Sequence, residues 1–328
     1  MANKIKKIGV LTSGGDSPGM NAAIRAVVRA CKYYNVECIG IYEGYKGLIK
    51  NELILLNARS VANIINKGGT FLRTARCNEF QEKEGRQIAY NNLKAANVDA
   101  LVIIGGDGSF RGALEFNKEF NFPIVGVPGT IDNDINGTDY TIGYDTALNT
   151  VVEAVDKIRD TASSHNRLFL VEVMGRDAGD IALRAGIGAG AEEILIPERK
   201  DLGIERLVNS LEQSEKAGKT SSIVIVAEGK TGMDVLEMRE YLNKNKPEYD
   251  VRVSVIGHMQ RGGSPTCADR VLATRLGIGA VDALMDGLTN IMLGVRKNEV
   301  ITVALEQVLQ KDRNIEKELL RVAHISSL

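Results

Sequence analysis

Short β-branched apolar runs recur along the chain, each closing on Gly or Asp before a stretch of helical periodicity. The clearest are Ile8–Leu11, Cys38–Tyr42, Ala100–Ile104, Ile124–Val127, Phe169–Val173, Ile223–Val226 and Val251–Ile256. Near-continuous apolar strands alternating with amphipathic helices predict parallel sheets covered by helices on both faces. From Asn21 to Tyr33, Ala23, Val27 and Ala30 fall on one side and Arg25, Arg29 and Lys32 on another. From Thr146 to Thr161 the apolar stripe is Leu148, Val151, Val155 and Ile158. The fold class is α/β. The polar stretch Glu228–Asp250 predicts a surface helix with flanking loops, and a lobe boundary is placed near Gly143.

Composition narrows the function classes. At 328 residues the chain accommodates two ordinary domains or one large one. A net charge of -1, with 41 Lys+Arg against 42 Asp+Glu, argues against a nucleic-acid binder but allows a local basic pocket. Cys31, Cys38, Cys77 and Cys267 form no metal-ligand spacing, so structural zinc is not expected and reduced thiols are. The basic start precedes only a short apolar strand, and no run is long enough to span a bilayer, so a soluble cytoplasmic protein is expected.

Three strand-end motifs carry chemistry. Thr12-Ser13-Gly14-Gly15-Asp16-Ser17-Pro18-Gly19-Met20-Asn21 lies between a strand and a helix. Its glycines admit a phosphate to the backbone, and the helix start offers free N–H groups. A plain turn capped by Asp16 or Ser17 explains the same residues equally well. Gly105-Gly106-Asp107-Gly108-Ser109 supplies a hard carboxylate for Mg²⁺ at Asp107 and space for phosphate at Gly108; Ser109 serves otherwise as a helix cap. The third run, Pro128-Gly129-Thr130-Ile131-Asp132-Asn133-Asp134, is the most informative. If extended, it directs Thr130, Asp132 and Asp134 to one side. Asp132 is then the candidate general base and Thr130 a ligand to a sugar or its phosphate. The competing explanation is an Asx-turn cluster. Together the three predict phosphoryl transfer.

Cationic side chains follow other strands: Arg167 and Met174-Gly175-Arg176 around Phe169–Val173, then Arg252 and Gly257-His258-Met259-Gln260-Arg261-Gly262-Gly263-Ser264-Pro265. Arginine's planar fork suits phosphate oxygens. His258 alone reads as a structural histidine; beside Arg261 in a Gly-rich loop, substrate binding is the better reading. Arg76, in Thr74-Ala75-Arg76-Cys77 after Gly68-Gly69, is either a ligand or a surface charge, and the residues alone leave that open.

These motifs, TSGGDSPGMNAAIR, GGTFLRTARC, GGDGS, PGTIDND, SSHNR, EVMGRDAGD and GHMQRGGSP in this order, resemble those of the bacterial ATP-dependent 6-phosphofructokinase family over almost the whole chain. The resemblance implies two Rossmann-like lobes: a larger ATP-binding lobe of residues 1–142 plus 260–309, and a smaller sugar-phosphate lobe of 143–259 plus 310–328. It implies transfer of the ATP γ-phosphoryl group to the 1-hydroxyl of fructose 6-phosphate, with Asp132 as base beside Thr130. Gly15, Arg76, Cys77, Gly106, Asp107, Gly108 and Ser109 would hold ATP, Asp107 reaching Mg²⁺. Arg76 and Arg176 would neutralise charge on the transferring group. Thr130, Ile131, Asp132, Met174, Gly175, Arg176, Glu228, His258, Met259, Gln260 and Arg261 would hold the sugar phosphate, with Arg167 and Arg252 reaching it from a neighbouring subunit of a homotetramer.

Pyrophosphate-using relatives typically carry an Asp in place of Gly108 and a Lys in place of Gly129, so ATP is favoured as donor. The family's pocket for ADP or phosphoenolpyruvate is matched at Arg25, Arg29, Arg159, Gly190, Glu192 and Lys219. Ala58, Asn63 and Ala217 depart from its pattern, so inhibition by phosphoenolpyruvate is expected to be blunted. A nicotinamide oxidoreductase is disfavoured by the missing Gly-x-Gly-x-x-Gly after the first strand. A silent regulatory subunit is disfavoured because Asp107, Asp132 and Arg176 are all present.

Overall fold

The computed structural model describes residues 5–162, 167–199, 204–216, 218, 222–229, 232–310 and 316–327. Their strands are β1 (Lys7–Thr12), β2 (Glu37–Ile41), β3 (Leu53–Leu56), β4 (Ala100–Gly105), β5 (Ile124–Pro128), β6 (Arg167–Val173), β7 (Glu193–Leu195), β8 (Ser222–Ala227), β9 (Asp250–Val255), β10 (Ile291–Arg296) and β11 (Glu299–Ala304). They build a seven-stranded sheet in the order β11-β10-β5-β4-β1-β2-β3 and a four-stranded sheet in the order β7-β8-β6-β9. In the larger sheet the five strands from β10 to β2 run parallel, and β11 and β3 close its edges antiparallel. The smaller sheet is parallel throughout. The expected α/β class with two mostly parallel sheets is present.

Each sheet belongs to its own compact unit. The first falls within Met1–Ile131, Ile135–Thr146 and Arg261–Asp312, the second within Asp132–Asp134, Ala147–Gln260 and Arg313–Leu328. In the first unit β4 is buried along its whole length, and apolar clusters form on both faces of the sheet. One joins Val10, Val102 and Ile104 to Val27 and Leu284; the other joins Leu11, Leu101 and Ile103 to Phe110 and Phe116. In the second unit Leu168, Leu170, Val224 and Val226 pack with Leu207, Met238 and Leu242. The predicted helices are found at Met20–Tyr33 and Tyr144–Ala162, and the polar stretch after Glu228 contains the helix Val235–Asn245, started by an Asp234–Glu237 capping box.

Parallel order decides where the motifs lie. Because β4 pairs with β1 on one side and β5 on the other, all three deliver their C-terminal ends to one edge of the sheet. The turns after Thr12, Gly105 and Pro128 therefore share that edge, where ligands of open parallel sheets bind.

A polar knot joins the first residues of two helices. The helix Tyr144–Ala162 follows Gly143, which has φ 102° and no capping side chain; a Cβ there would lie 2.6 Å from that of Ser17. Its cap comes from Asp269, on the first turn of the helix Cys267–Met285. The Asp269 carboxylate accepts from the N–H groups of Gly143 and Thr146, each at 2.8 Å, and from the Thr146 hydroxyl. Thr266 closes the knot: its N–H donates to Thr146 Oγ1, and its hydroxyl donates to Asp145 and accepts from the Asp269 N–H.

Two expected outcomes follow. Gly126 of β5 lies under the Phe110 ring, and an added Cβ would meet it at 2.7 Å. Gly126→Ala should lower stability by about 1–3 kcal/mol, read from the denaturant midpoint. Burial raises the Asp269 carboxyl to about 6, against the hydrogen bonds from Thr146 and Gly143, with Asp145 adding to the rise. Folded-state affinity for that proton exceeds the unfolded chain's, so this group's stability contribution falls as pH climbs from about 4 to about 6. Measured by urea unfolding, wild-type stability relative to Asp269→Asn should fall over that window by on the order of 2–3 kcal/mol.

Candidate active site

The turn after β1 wraps an arginine. Arg261 Nη1 donates to the Asp16 carbonyl at 3.1 Å, and a Cβ on Gly15 would lie 2.5 Å from that nitrogen. Only glycine lets the guanidinium rest on this main chain. Asn21, buried on the following helix, holds the Gly68-Gly69 turn: its amide donates to the carbonyls of Lys67 and Gly68, and its oxygen accepts from Phe71 N–H. Thr12 Oγ1 donates to the Arg73 carbonyl at 3.0 Å. The segment that carries Arg76 and Cys77 is thus tied back to the first turn. Arg76 is exposed and Cys77 half-buried, its thiol pushed up by burial.

After β4, Asp107 opens the helix Asp107–Phe120; the N–H groups of Ser109 and Phe110 donate to the Gly106 carbonyl, which leaves those of Asp107 and Gly108 at the helix start to face a ligand. Nothing lies within 4 Å of a Cβ placed on Gly108, whereas one on Gly105 would strike Ser109 Oγ and the Ser13 carbonyl at 2.5 Å. Ser109 does not cap the helix: it sits inside the first turn, and its buried hydroxyl has no partner. Asp107 is ion-paired with Arg111 at 3.0 Å. Among the described residues no group of three or more His, Cys, Asp or Glu is arranged to hold a metal. One carboxylate beside exposed helix N–H groups and open glycine backbone fits Mg²⁺, which commonly takes one or two carboxylates and completes its shell with phosphate and water.

The run after β5 departs from expectation. It is not extended: the chain bends at Ile131 and Asp132, and Asn133 takes φ 50°. The alternation argument for Thr130, Asp132 and Asp134 therefore fails, because asparagine, which tolerates the left-handed region, turns the chain there. Thr130, Ile131, Asp132 and Asn133 are all buried. Thr130 is held by its carbonyl, which accepts from the Thr141 hydroxyl at 2.6 Å. Asn133 donates to Asp180 at 3.3 Å.

In the second unit one carboxylate organises the turn after β6. Glu228 Oε1 accepts from Gly175 N–H at 3.2 Å and Arg176 N–H at 2.8 Å. Arg176 adopts φ 58°, with its side chain exposed. Burial, followed by the nearby charge of Glu228, raises the carboxyl of Glu172. Gln260 is fully buried and accepts from Met174 N–H at 2.9 Å, while His258 and Met259 are exposed beside it. Arg167 and Arg252 share Asp250, at 3.0 and 2.9 Å, and together hold its carboxyl below the usual range.

The predicted effector residues fall into two groups. Arg25 and Arg29 lie on the helix Met20–Tyr33, where burial and then Arg29 lower the affinity of Arg25 for its proton. Arg159 donates to the carbonyls of Ala189 and Gly190 at 2.8 and 2.7 Å and lies 3.4 Å from Glu192. Lys219, and Ala217 beside it, lie outside the described residues. Sequence reasoning included Asn21 in the first motif without giving it a role, and it assigned none to Thr146 or Asp269. Their partners are 46 to 126 residues away, and no short spacing announces them.

The chain is similar to known proteins over its length. The family model described as phosphofructokinase matches residues 7–284. An ATP-dependent 6-phosphofructokinase 2 of Bacteroides thetaiotaomicron is 52% identical over 97% of each chain. ATP-dependent 6-phosphofructokinase 1 of Thermus thermophilus is 52% identical over 99% of this chain and 100% of its own. A solved phosphofructokinase of Saccharomyces cerevisiae matches with TM-score 0.88 and 37% identity over 98% of this chain, which spans 47% of that longer one. A pyrophosphate-dependent phosphofructokinase of Marinobacter aquaeolei, 22% identical with TM-score 0.84, shares the fold. With a family match across most of its length and half-identical relatives covered end to end, the chain belongs to the phosphofructokinase family.

Proposed function

We propose that this chain is an ATP-dependent 6-phosphofructokinase, moving the γ-phosphoryl group of ATP to the 1-hydroxyl of fructose 6-phosphate in glycolysis. The observation that carries the reading is full-length 52% identity to ATP-dependent enzymes, in a chain whose phosphate-binding turns share one sheet edge. Open space at Gly108 favours ATP over pyrophosphate, since a side chain there would take room beside the phosphates. Gly129 points the same way: its Cβ position is only 3.1 Å from Ile104 and Met20.

The larger lobe, 1–142 with 260–309, binds ATP, and the smaller, 143–259 with 310–328, binds the sugar phosphate. Gly15, Gly106, Gly108 and Ser109 offer main-chain N–H groups and a buried hydroxyl to the nucleotide's phosphates, with Arg76 and Cys77 alongside. Asp107 holds Mg²⁺, which when bound neutralises charge on the phosphates. Asp132, oriented with Thr130 and Ile131, accepts the proton of the 1-hydroxyl as its oxygen attacks phosphorus. Arg76 and Arg176 stabilise charge on the transferring group. Met174, Gly175, Arg176, Glu228, His258, Met259, Gln260 and Arg261 hold the sugar phosphate. Arg167 and Arg252, already gathered on Asp250, serve the site of a neighbouring subunit in a homotetramer. A cytoplasmic location accords with the four free cysteines.

Regulation is weaker than in a fully cationic effector pocket. ADP or phosphoenolpyruvate would bind among Arg25, Arg29, Arg159, Gly190, Glu192 and Lys219. Ala58 and Ala217 leave two fewer cations, each charged contact being worth about 1.5–3 kcal/mol.

Three measurements test this. Asp132→Ser should lower kcat at least about a hundredfold in a coupled assay while substrate still binds; near-normal turnover would remove Asp132 from the mechanism. Gly108→Asp should raise the KM for ATP about tenfold or more with little change in melting temperature, since the loss is a charged clash in the donor pocket. Saturation by fructose 6-phosphate should stay near-hyperbolic with phosphoenolpyruvate present; a strongly sigmoidal curve counts against the weakened effector pocket.

A further inference from the structure

Resting on that kinase reading, we infer that Asp269 is a positioning residue for sugar-phosphate binding, acting through Arg261. Its own carboxylate is buried, 1% exposed, so it is not offered as a substrate ligand. What it controls is the start of the helix Cys267–Met285, and that first turn fixes the loop carrying Arg261. Thr266 caps the helix through Asp269 N–H. Arg270, the next residue, donates from Nε to the Pro265 carbonyl at 2.8 Å and from Nη2 to Ser264 Oγ at 2.9 Å. Ser264 in turn donates to the Asn66 carbonyl at 2.8 Å. The strand-end arginine therefore hangs from a segment whose last anchor is the Asp269–Thr146 knot, and its guanidinium is left to rest on Gly15 and Asp16.

At neutral pH an ionised carboxylate at position 269 can accept from every donor that faces it. Three donors converge on it: two backbone N–H groups and the Thr146 hydroxyl. An amide of the same shape has one acceptor oxygen, and its NH₂ would face a donor. Gly143 cannot supply the cap itself, because a Cβ there would strike Ser17. Loss of the carboxylate thus frees the start of the helix Tyr144–Ala162 and the turn at Thr266 together, and the loop that leads back to Arg261 loses its fixed register.

The test uses the full chain and four variants, assayed for both substrates, with fructose 6-phosphate binding followed separately by calorimetry. Asp269→Asn and Thr146→Val should each raise the KM for fructose 6-phosphate about tenfold and weaken its calorimetric Kd to match. The KM for ATP and kcat should stay within about threefold. Thr146→Ser, which keeps the hydroxyl, should behave as wild type. In an Arg261→Ala background, Asp269→Asn should add less than about twofold, because its effect is already spent. The inference is overturned if Asp269→Asn and Thr146→Val leave sugar-phosphate KM and Kd unchanged. It is equally overturned if kcat alone falls with both KM values unchanged, as a loss of folded protein would produce, if both KM values rise together, or if the effects of Asp269→Asn and Arg261→Ala multiply fully. Absence of turnover in the wild type would instead fail the kinase reading, leaving the calorimetric comparison to judge Asp269.

Discussion

A phosphorylated ligand must meet bare main chain, and that requirement is set by the order of strands in the larger sheet. Placing β4 between β1 and β5, all parallel, forces three separate turns onto one edge. Each turn then needs backbone that side chains leave accessible. Gly15 answers it by accepting a guanidinium at a distance no Cβ would allow, Gly108 by opening onto empty space, and Gly105 by letting Ser13 and Ser109 close in. The apolar clusters on either face of the sheet keep the strands in register, and so keep these turns together.

Charge is handled differently in the two units. In the first, buried acid is used to hold helices: Asp269 caps a helix that begins 125 residues earlier at Tyr144, and the cost of its burial shows in its raised proton affinity. In the second, half-buried acid orders a turn: Glu228 gathers the N–H groups of Gly175 and Arg176, and Glu172 beneath it is driven toward its neutral form. Among the described residues, neither carboxylate is paired with a cation. Both gather main-chain N–H groups, joined at Asp269 by the Thr146 hydroxyl, and this fixes backbone geometry more tightly than a flexible lysine or arginine would.

Much of this was legible in the residues. β-branched runs mark β1, β2, β4, β5, β6, β8 and β9, because buried parallel strands must be apolar on both faces. The strands not anticipated are β3, β7, β10 and β11. β7 and β3 are only three and four residues long; β10 and β11, six residues each and largely apolar, could have been read from their hydrophobicity and were not. Gly-Gly-Asp-Gly-Ser was readable as a phosphate turn, but the buried hydroxyl of Ser109 was not. The bend at Ile131 and Asp132, with Asn133 left-handed, was legible only as the competing Asx-turn reading, because a run of Thr, Ile and Asp reads as extended until a neighbouring element demands a turn. Asp269 and Thr146 carry no motif at all; their meaning lies in a meeting of two helix ends distant in sequence.

The backbone of Arg176 carries a practical lesson. Its left-handed conformation, with φ 58°, is one that alanine adopts reluctantly and glycine freely. Truncating it to alanine would therefore disturb the hairpin of main chain around Glu228 as well as deleting the guanidinium, and any lost rate would mix two causes. A glycine at this position strips the charge while leaving the local path of the chain at ease, which makes it the cleaner probe of what the cation itself contributes.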